Sequence, residues 1–495
     1  MAELTFITAL SAAAPLIIVI FAMAVLGWSA ALSGLLGLVV AFALALTVFG
    51  LVTDQVPNAT DMISGIAAET AHSTATILWI ILAALILFEY QKRSGGIQRI
   101  RETLASFTDD RRIEALLIAW FFGLFIEGAA GFGTPVALAA PLLVGVGFPP
   151  VRAVAMALVG HAAGVPFGAV GTPTIAQINN SGLEATPVAG MIASINILIG
   201  LGLLMVLMRM ADDRRLERRD WMLAALAAAC FMLPFWLLAR FTGPELPALA
   251  GGMIGFVAFF AILRALAVVR PVSLRPLLPD LVPYFVLVLL ILATRLVPAF
   301  KHALNDIAFR WELFGTFSGS FAPLYHPGTL MIASIVLGAI LFTRTQLILP
   351  SLAAALQRLF SVGIALLSML ALSATMVHTG MIETMAQTAA LTGAAWPVLA
   401  PFVGALGTFV SGSATTSNIL FTQFQIATAN AIELPVLSVV AAQGVGAAVG
   451  NLIAPHNIIA GCATVGLVGK EGPIMRQTAL VAVPCLLFVG FLSLM

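Results

Sequence analysis

The sequence predicts an all-α polytopic membrane protein of about 12 transmembrane helices plus two re-entrant hairpins, built as an inverted-repeat transporter architecture. Three observations predict it. The 495 residues are 61% hydrophobic and only 9% charged, with a mean hydropathy of +1.08, whereas soluble domains run at about 45–50% apolar and 25% charged. Two apolar segments are interrupted at their middles by Gly, Ser, Thr or Pro, so neither reads as one clean helix. An ordered set of residues recurs between the two halves of the chain.

Apolar runs place spans at 7–27, 31–53, 74–91, 153–178, 188–209, 221–240, 247–263, 281–300, 327–343, 358–380, 434–460 and 475–495. The opening Met-Ala-Glu-Leu-Thr has no basic stretch, so the first run reads as a retained span rather than a cleaved signal. The segments 113–147 and 395–425 are the two expected re-entrant hairpins. Basic residues crowd three loops: 92–112 with Lys92, Arg93, Arg99, Arg101, Arg111 and Arg112, 209–219 with Arg209, Arg214, Arg215, Arg218 and Arg219, and 264–275 with Arg264, Arg270 and Arg275. The positive-inside rule makes all three cytoplasmic, which puts the N-terminus outside.

The repeat has two parts. Gly123, Phe125, Gly128 and Ala130 match Gly407, Phe409, Gly412 and Ala414, and Gly164, Gly168 and Pro173 match Gly446, Gly450 and Pro455. Seven crossings separate the hairpins in this reading, and an odd number inverts the second copy. The expected organisation is therefore N-terminal spans over 1–73, a first repeat over 74–209, connecting spans over 210–343 and a second, inverted repeat over 344–495. Within the repeats, each hairpin is followed by a broken span, 153–178 and 434–460. Inverted repeats with broken helices that meet near the midplane are a recurrent design of secondary transporters.

The candidate site follows from that design. In Glu127-Gly-Ala-Ala-Gly-Phe-Gly-Thr-Pro135, Gly131 and Gly133 let the backbone turn, and Pro135 suits the first turn of the returning helix. The N–H groups of that helix, with the Thr134 hydroxyl, then favour an anion at the tip. The plainer reading is a turn of small residues that only lets helices pack closely. The second hairpin carries Ser411, Ser413, Thr415, Thr416, Ser417 and Asn418, a run of neutral polar groups that needs either a wet cavity or its own backbone for partners. The broken spans contribute Thr172 and Thr174 beside Pro173, and His456 and Asn457 after Pro455. Ionisable residues inside the apolar runs are Glu127, His161, His378 and His456, with Arg295 near an outer end, where the interface can take its head group. Glu127, His161 and His456 are the candidates for moving a proton, although each also has a purely structural reading.

Cys230, Cys462 and Cys485 have no metal or redox spacing and read as small apolar residues. No metal site, nucleotide loop or nucleophile elbow sits in a fitting context, so no cofactor is expected. A formal net charge of +1 points to no nucleic-acid partner.

At Glu127-Gly-Ala-Ala-Gly-Phe-Gly-Thr-Pro135, Ser411-Gly-Ser-Ala-Thr-Thr-Ser-Asn418 and Gly450-Asn-Leu-Ile-Ala-Pro-His-Asn457 the chain resembles the bacterial lactate permease family, which also includes glycolate permeases. The likeness runs over most of the chain and is sharpest at 115–180 and 400–470. It implies a multi-pass protein of the bacterial cytoplasmic membrane, active as a monomer or homodimer, that takes up L-lactate, D-lactate or glycolate by proton symport. Two other readings stay open: a sodium-coupled carboxylate carrier using Ser417, Asn418 and freed carbonyls, and a membrane-embedded enzyme using Glu127 and His456 as acid and base. The topology has a direct check. An impermeant thiol reagent added outside should label a cysteine placed at position 2 and spare one at position 215, and the opposite pattern would reverse the orientation.

Overall fold

The computed structural model describes residues 6–270, 272–273, 275–467 and 469–494. Position 2 of the labelling test lies outside them. The chain opens with α1 (Phe6–Ala24), α2 (Ala30–Leu44, prolonged by a π-helical turn), α3 (Ala59–Arg93) and α4 (Gly96–Ala105). The first hairpin runs through α5 (Arg111–Ala115), a π-helical stretch Leu116–Phe122, α6 (Gly123–Ala129) and α7 (Thr134–Gly145). The first broken span is α8 (Pro150–His161), a 3₁₀ turn Ala162–Phe167 and α9 (Gly168–Ser181). Then come α10 (Ala185–Ala211), α11 (Arg218–Thr242), α12 (Pro247–Ala265), α13 (Leu278–Leu296) and α14 (Pro298–Asn305). A two-stranded antiparallel ribbon, β1 (Phe309–Leu313) and β2 (Phe317–Phe321), leads into α15 (Pro327–Leu341), α16 (Ile348–His378) and α17 (Met381–Ala390). The second hairpin is α18 (Trp396–Ser411) and α19 (Ala414–Ala431), the second broken span α20 (Val436–Gly450) and α21 (Pro455–Thr464), and α22 (Glu471–Leu492) ends the described chain.

Among the described residues, 12 helical segments are long and apolar enough to cross a membrane. The set differs from the expected one by an exchange. The run at 327–343 is a helix of only 15 residues, about 22 Å long against a hydrocarbon core of about 30 Å. The first arm of the second hairpin, Gly393–Ser411, is 19 residues long and does qualify. The expected span 74–91 is the second part of a 35-residue helix. Its first turns carry Asp61, Ser64, Glu69, Thr70, His72 and Ser73, polar groups that end a hydropathy run but leave helical hydrogen bonding intact.

The broken span α8–α9 forms the centre, since its whole apolar window is buried within the protein. Around it, arginines from the basic loops turn inward. Arg99 and Arg344 both hold the fully buried Asp280, at 2.6 and 2.8 Å, and Arg112 pairs with buried Asp220. These loops are more than solvated charge, because two of their cations lock helix ends together. Paired buried charges tolerate loss of one partner poorly.

Close helix contact comes from small residues. A Cβ on Gly446 of α20 would stand 2.1 Å from the Pro401 carbonyl oxygen of α18, so only glycine lets these helices meet there. Gly202 of α10 has no atom within 4 Å of its own Cβ position. Gly446→Ala should therefore lower the melting temperature of the purified protein in detergent, with a cost of about 1–3 kcal/mol from overpacking. Gly202→Ala should leave it unchanged or raise it, because alanine is the better helix former. Equal melting of the two variants would contradict the contact.

Candidate functional site

Four backbone interruptions meet in the middle of the fold. In the first hairpin, Gly131, Phe132 and Gly133 have φ of +56°, +51° and +75°, a left-handed run that ends α6 and starts α7. Glycine fits this run readily, while Phe132 does so under strain, with its ring 42% exposed. In the first broken span Ala169, Val170 and Gly171 are also left-handed, at +43°, +54° and +82°. In the second hairpin Gly412 is left-handed at +69° and its N–H closes α18 on the Thr408 carbonyl. In the second broken span Asn451–Ala454 leaves the helix, and Pro455 restarts it as α21.

Each hairpin tip rests on the broken span that follows it. A Cβ on Gly131 would lie 3.1 Å from the Ala169 nitrogen, and one on Gly412 would lie 2.8 Å from the His456 Cβ. The halves are also cross-linked. Asn418 of the second hairpin donates from Nδ2 to the Pro173 carbonyl of the first broken span at 3.0 Å. Gly133 of the first hairpin faces Asn457 of the second broken span, whose Oδ1 lies 3.1 Å from the Cβ position.

A cavity of about 610 Å³ opens beside this meeting point. Phe132 and Thr134 of the first hairpin, Ser411, Gly412, Ser413, Thr415 and Thr416 of the second, and His456 all line it. Thr134 begins α7, and Ser413 caps α19 by accepting from the Thr416 N–H at 3.2 Å. Two helix N-termini from opposite halves of the chain thus present their first turns to one space, an arrangement that favours an anion. The hydroxyls of Thr415 and Thr416 have no hydrogen-bond partner among the described residues, although these residues are only 3% and 8% exposed.

Other expected site residues lie outside the cavity and are committed to structure. Thr172 donates to the Ala169 carbonyl at 2.6 Å and Thr174 to the Pro166 carbonyl at 2.7 Å, so both hydroxyls stabilise the break. Ser417 donates to the Gly404 carbonyl and accepts from Gln443, which accepts from Gln425, which in turn accepts from Trp396 behind the second hairpin. Asn418 keeps an Oδ1 with no hydrogen-bond partner among the described residues. Gly131 and Gly133 are buried and shape the turn.

Glu127 is 3% exposed and packs its Oε1 against Gly168, where a Cβ would stand 2.1 Å away. Four other buried carboxylates hold an arginine: Glu89 with Arg358, Asp220 with Arg112, Asp280 with Arg99 and Glu245 with Arg295. Glu127 has His161, with Nε2 at 3.9 Å from Oε2. His161 Nδ1 bonds the Ala157 carbonyl at 2.6 Å. In the second broken span, Asn451 Oδ1 accepts from Asn457 Nδ2 at 2.9 Å. Polar groups thus flank the first tip from both halves, with Glu127 and His161 behind it and Asn457 facing Gly133.

Two residues depart from the sequence reading. Arg295 does not reach for the interface; it forms an ion pair with Glu245 at 2.7 Å, each side chain 8% exposed, and lies 3.7 Å over the Tyr325 ring. Glu245 turns inward because the Gly243-Pro244-Glu245 loop packs on Gly171, whose Cβ would meet the Pro244 oxygen at 2.4 Å. Arg358 lines the cavity and pairs with Glu89 at 3.2 Å. Starting a span at 358 made this arginine a boundary. The apolar run Ile348–Leu356 before it was the signal that it lies inside a helix, and an ionisable residue inside such a helix is a site candidate by default.

Comparison with known proteins agrees with this architecture. The family model described as L-lactate permease matches residues 8–495. The L-lactate permease of Salmonella typhimurium is 28% identical, over 96% of this chain and 93% of its own length. The glycolate permease GlcA of Escherichia coli is 28% identical, over 95% and 92%. Among solved structures, the Alcanivorax borkumensis YdaH transporter superposes with a TM-score of 0.53 at 15% identity, covering 94% of this chain and 98% of that one. MtrF of Neisseria gonorrhoeae, from a class of antimetabolite efflux pumps, gives 0.50 at 15% identity, over 94% of each chain. Both likenesses bear on fold alone. This multi-pass membrane protein is thus a transporter and not an enzyme, and it belongs to the L-lactate permease family.

Proposed function

We propose that the protein takes up L-lactate and related 2-hydroxymonocarboxylates, D-lactate and glycolate among them, by proton symport. The observation that carries this reading is the single cavity shared by both hairpin tips, with two helix N-termini, unpartnered threonine hydroxyls, His456 and Arg358 around it. The names of the relatives supply the substrate class: L-lactate permease and glycolate permease. A small carboxylate fits such a site. Its anionic end takes the helix N-termini and the Thr415 and Thr416 hydroxyls, and its 2-hydroxyl takes the neutral polar groups of the tips. The two hairpins are re-entrant in this account, so the tips come together inside the bilayer and the loops that carry the arginines face the cytoplasm.

Coupling rests on Glu127. A buried carboxyl with no arginine changes its charge only alongside a compensating change nearby, since an unbalanced charge in an apolar interior is costly. Taking up an anion at the tips and a proton on Glu127 together satisfies that condition. Glu127 belongs to the hairpin whose Gly133 tip faces Asn457, so the proton site and the anion site sit on one short element. A sodium-coupled carrier would need no protonatable group at this place.

Glu127→Gln should abolish L-lactate accumulation driven by a pH gradient in proteoliposomes and retain lactate counterflow at equal pH on both sides. Counterflow exchanges substrate without net proton movement, so it reports that the site is intact. Wild-type accumulation by the variant would remove Glu127 from coupling. Accumulation driven by a sodium gradient at constant pH would replace the proton with sodium.

A further inference from the structure

The long helices α3 and α16 run antiparallel and are joined by two ionic rungs. Glu89 meets Arg358 at 3.2 Å, and Glu69 meets His378 at 2.8 Å. Both acids stand on α3, 20 residues apart, and both bases stand on α16, also 20 residues apart. Twenty helical residues span about 30 Å, the thickness of a bilayer's hydrocarbon core. The sequence reading absorbed neither Glu69 nor Glu89 and left His378 without a role.

Each rung borders a cavity. Arg358 lines the open one, together with Ile81 and Leu85 from the same half of α3. Glu69 and His378 line a second, of only about 70 Å³, enclosed by α3, α9, α16 and α19. Polar groups dominate its wall: Thr70, Ser73, Asn179, Asn180, Ser373 and Gln423. The Thr70 hydroxyl is buried there without a hydrogen-bond partner among the described residues. Two of its lining residues bond the Ile419 carbonyl, Asn180 at 2.8 Å and Ser373 at 3.2 Å. Ile419 follows Asn418, whose link to Pro173 lies at the meeting point of the tips. Helix α19 faces both spaces, with Thr415 and Thr416 on the open cavity and Gln423, about two turns on, at the closed one.

We propose that the small polar cavity is a second binding site for a short-chain carboxylate, on the face opposite the open cavity and narrow in this conformation, with His378 as its carboxylate donor. In the substrate-free state the imidazole N–H is held by Glu69. Carboxylate binding exchanges that partner for the substrate, while Asn179 and the unpartnered Thr70 hydroxyl supply further donors. The same exchange at the other end would move Arg358 from Glu89 to substrate. Each face then has one cation or imidazole donor kept in place by an acid of α3 until a carboxylate arrives. This rests on the carboxylate reading above and adds to it a site that residues of the tips do not form.

The test is sidedness. L-lactate uptake is measured in right-side-out and inside-out membrane vesicles, giving one half-saturation concentration for each face. For His378→Gln the value on the His378 face should rise about tenfold, the size of one charge-assisted or strong hydrogen bond lost. The value on the Arg358 face should stay within about twofold, and the intact face also shows that the variant is folded. Equal change on both faces, or none on either, overturns the proposal. A second variant reads the cavity without transport: Ser373→Cys, with the three native cysteines replaced, should react with an impermeant maleimide from the His378 face only, and more slowly with L-lactate present. Reaction from the Arg358 face, no reaction at all, or no effect of lactate counts against the site. If wild-type vesicles move neither lactate nor glycolate, the substrate assignment fails. The maleimide reaction, repeated with a panel of short carboxylates, then still decides whether the second cavity binds one.

Discussion

A broken helix inside a membrane leaves backbone groups that lipid cannot satisfy, and the described residues of this protein contain two broken spans and two hairpin turns. Its solution is to bring them together. The left-handed turn at Gly131–Gly133 lies against the left-handed break at Ala169–Gly171, and the turn at Gly412 lies against His456. A hydrogen bond from Asn418 to the Pro173 carbonyl joins the two halves, and the Gly133 tip faces Asn457 across them. The remaining carbonyls of the breaks are met by the protein's own hydroxyls, as at Thr172 and Thr174. What is left over is concentrated on one side: two helix N-termini and the Thr415 and Thr416 hydroxyls, facing a cavity. The constraint that makes the breaks costly is therefore the one that gathers unsatisfied polar groups into a place where an anion fits.

The charged residues follow a second rule. Asp220, Asp280, Glu89 and Glu245 are buried near helix ends and each holds an arginine. Such pairs stabilise only while both members remain, because either charge alone would be stranded in an apolar interior. They lock loops and helix ends, which is structural work. Glu127 stands apart because its neighbour at 3.9 Å is a histidine. A group of that kind can change its charge without tearing out an ion pair. The difference in partners, more than the depth of burial, marks it out from those four acids.

Much of this was legible in the sequence because it rests on local chemistry. Hydropathy runs located the spans, and Gly131-Phe-Gly133, Gly412, Pro173 and Pro455 marked where the helices stop and restart. Composition could not show which hydroxyls would face the cavity. Ser417 and Thr415 are two residues apart on one helix, yet one bonds the Gly404 carbonyl behind the hairpin and the other has no protein partner among the described residues. That distinction depends on the orientation of α19 against α18 and α20. Glu69, Glu89 and Arg358 were overlooked for a different reason. Glu69 stands in polar first turns of α3 that a hydropathy window cuts away, so it looked like a charge beyond the helix end. Glu89 and Arg358 fell near the edges of their expected spans, where a charge reads as an interface residue. The β1–β2 ribbon did leave a signal in the alternation Phe309-Arg-Trp-Glu-Leu313, but a search for long apolar runs passes over so short a pattern.

The central claim is that both hairpins hold the same substrate molecule, and a double-mutant cycle tests it most directly. Equilibrium binding of labelled L-lactate to purified protein would be measured for Thr134→Val, Thr415→Val and the pair together. Two hydroxyls that share one bound carboxylate should be coupled, so the losses in affinity should depart from additivity by more than about 0.5 kcal/mol. Additive losses within that margin, or no loss from Thr134→Val, would mean that the first hairpin only supports the site and that the cavity does not bind substrate between the two tips.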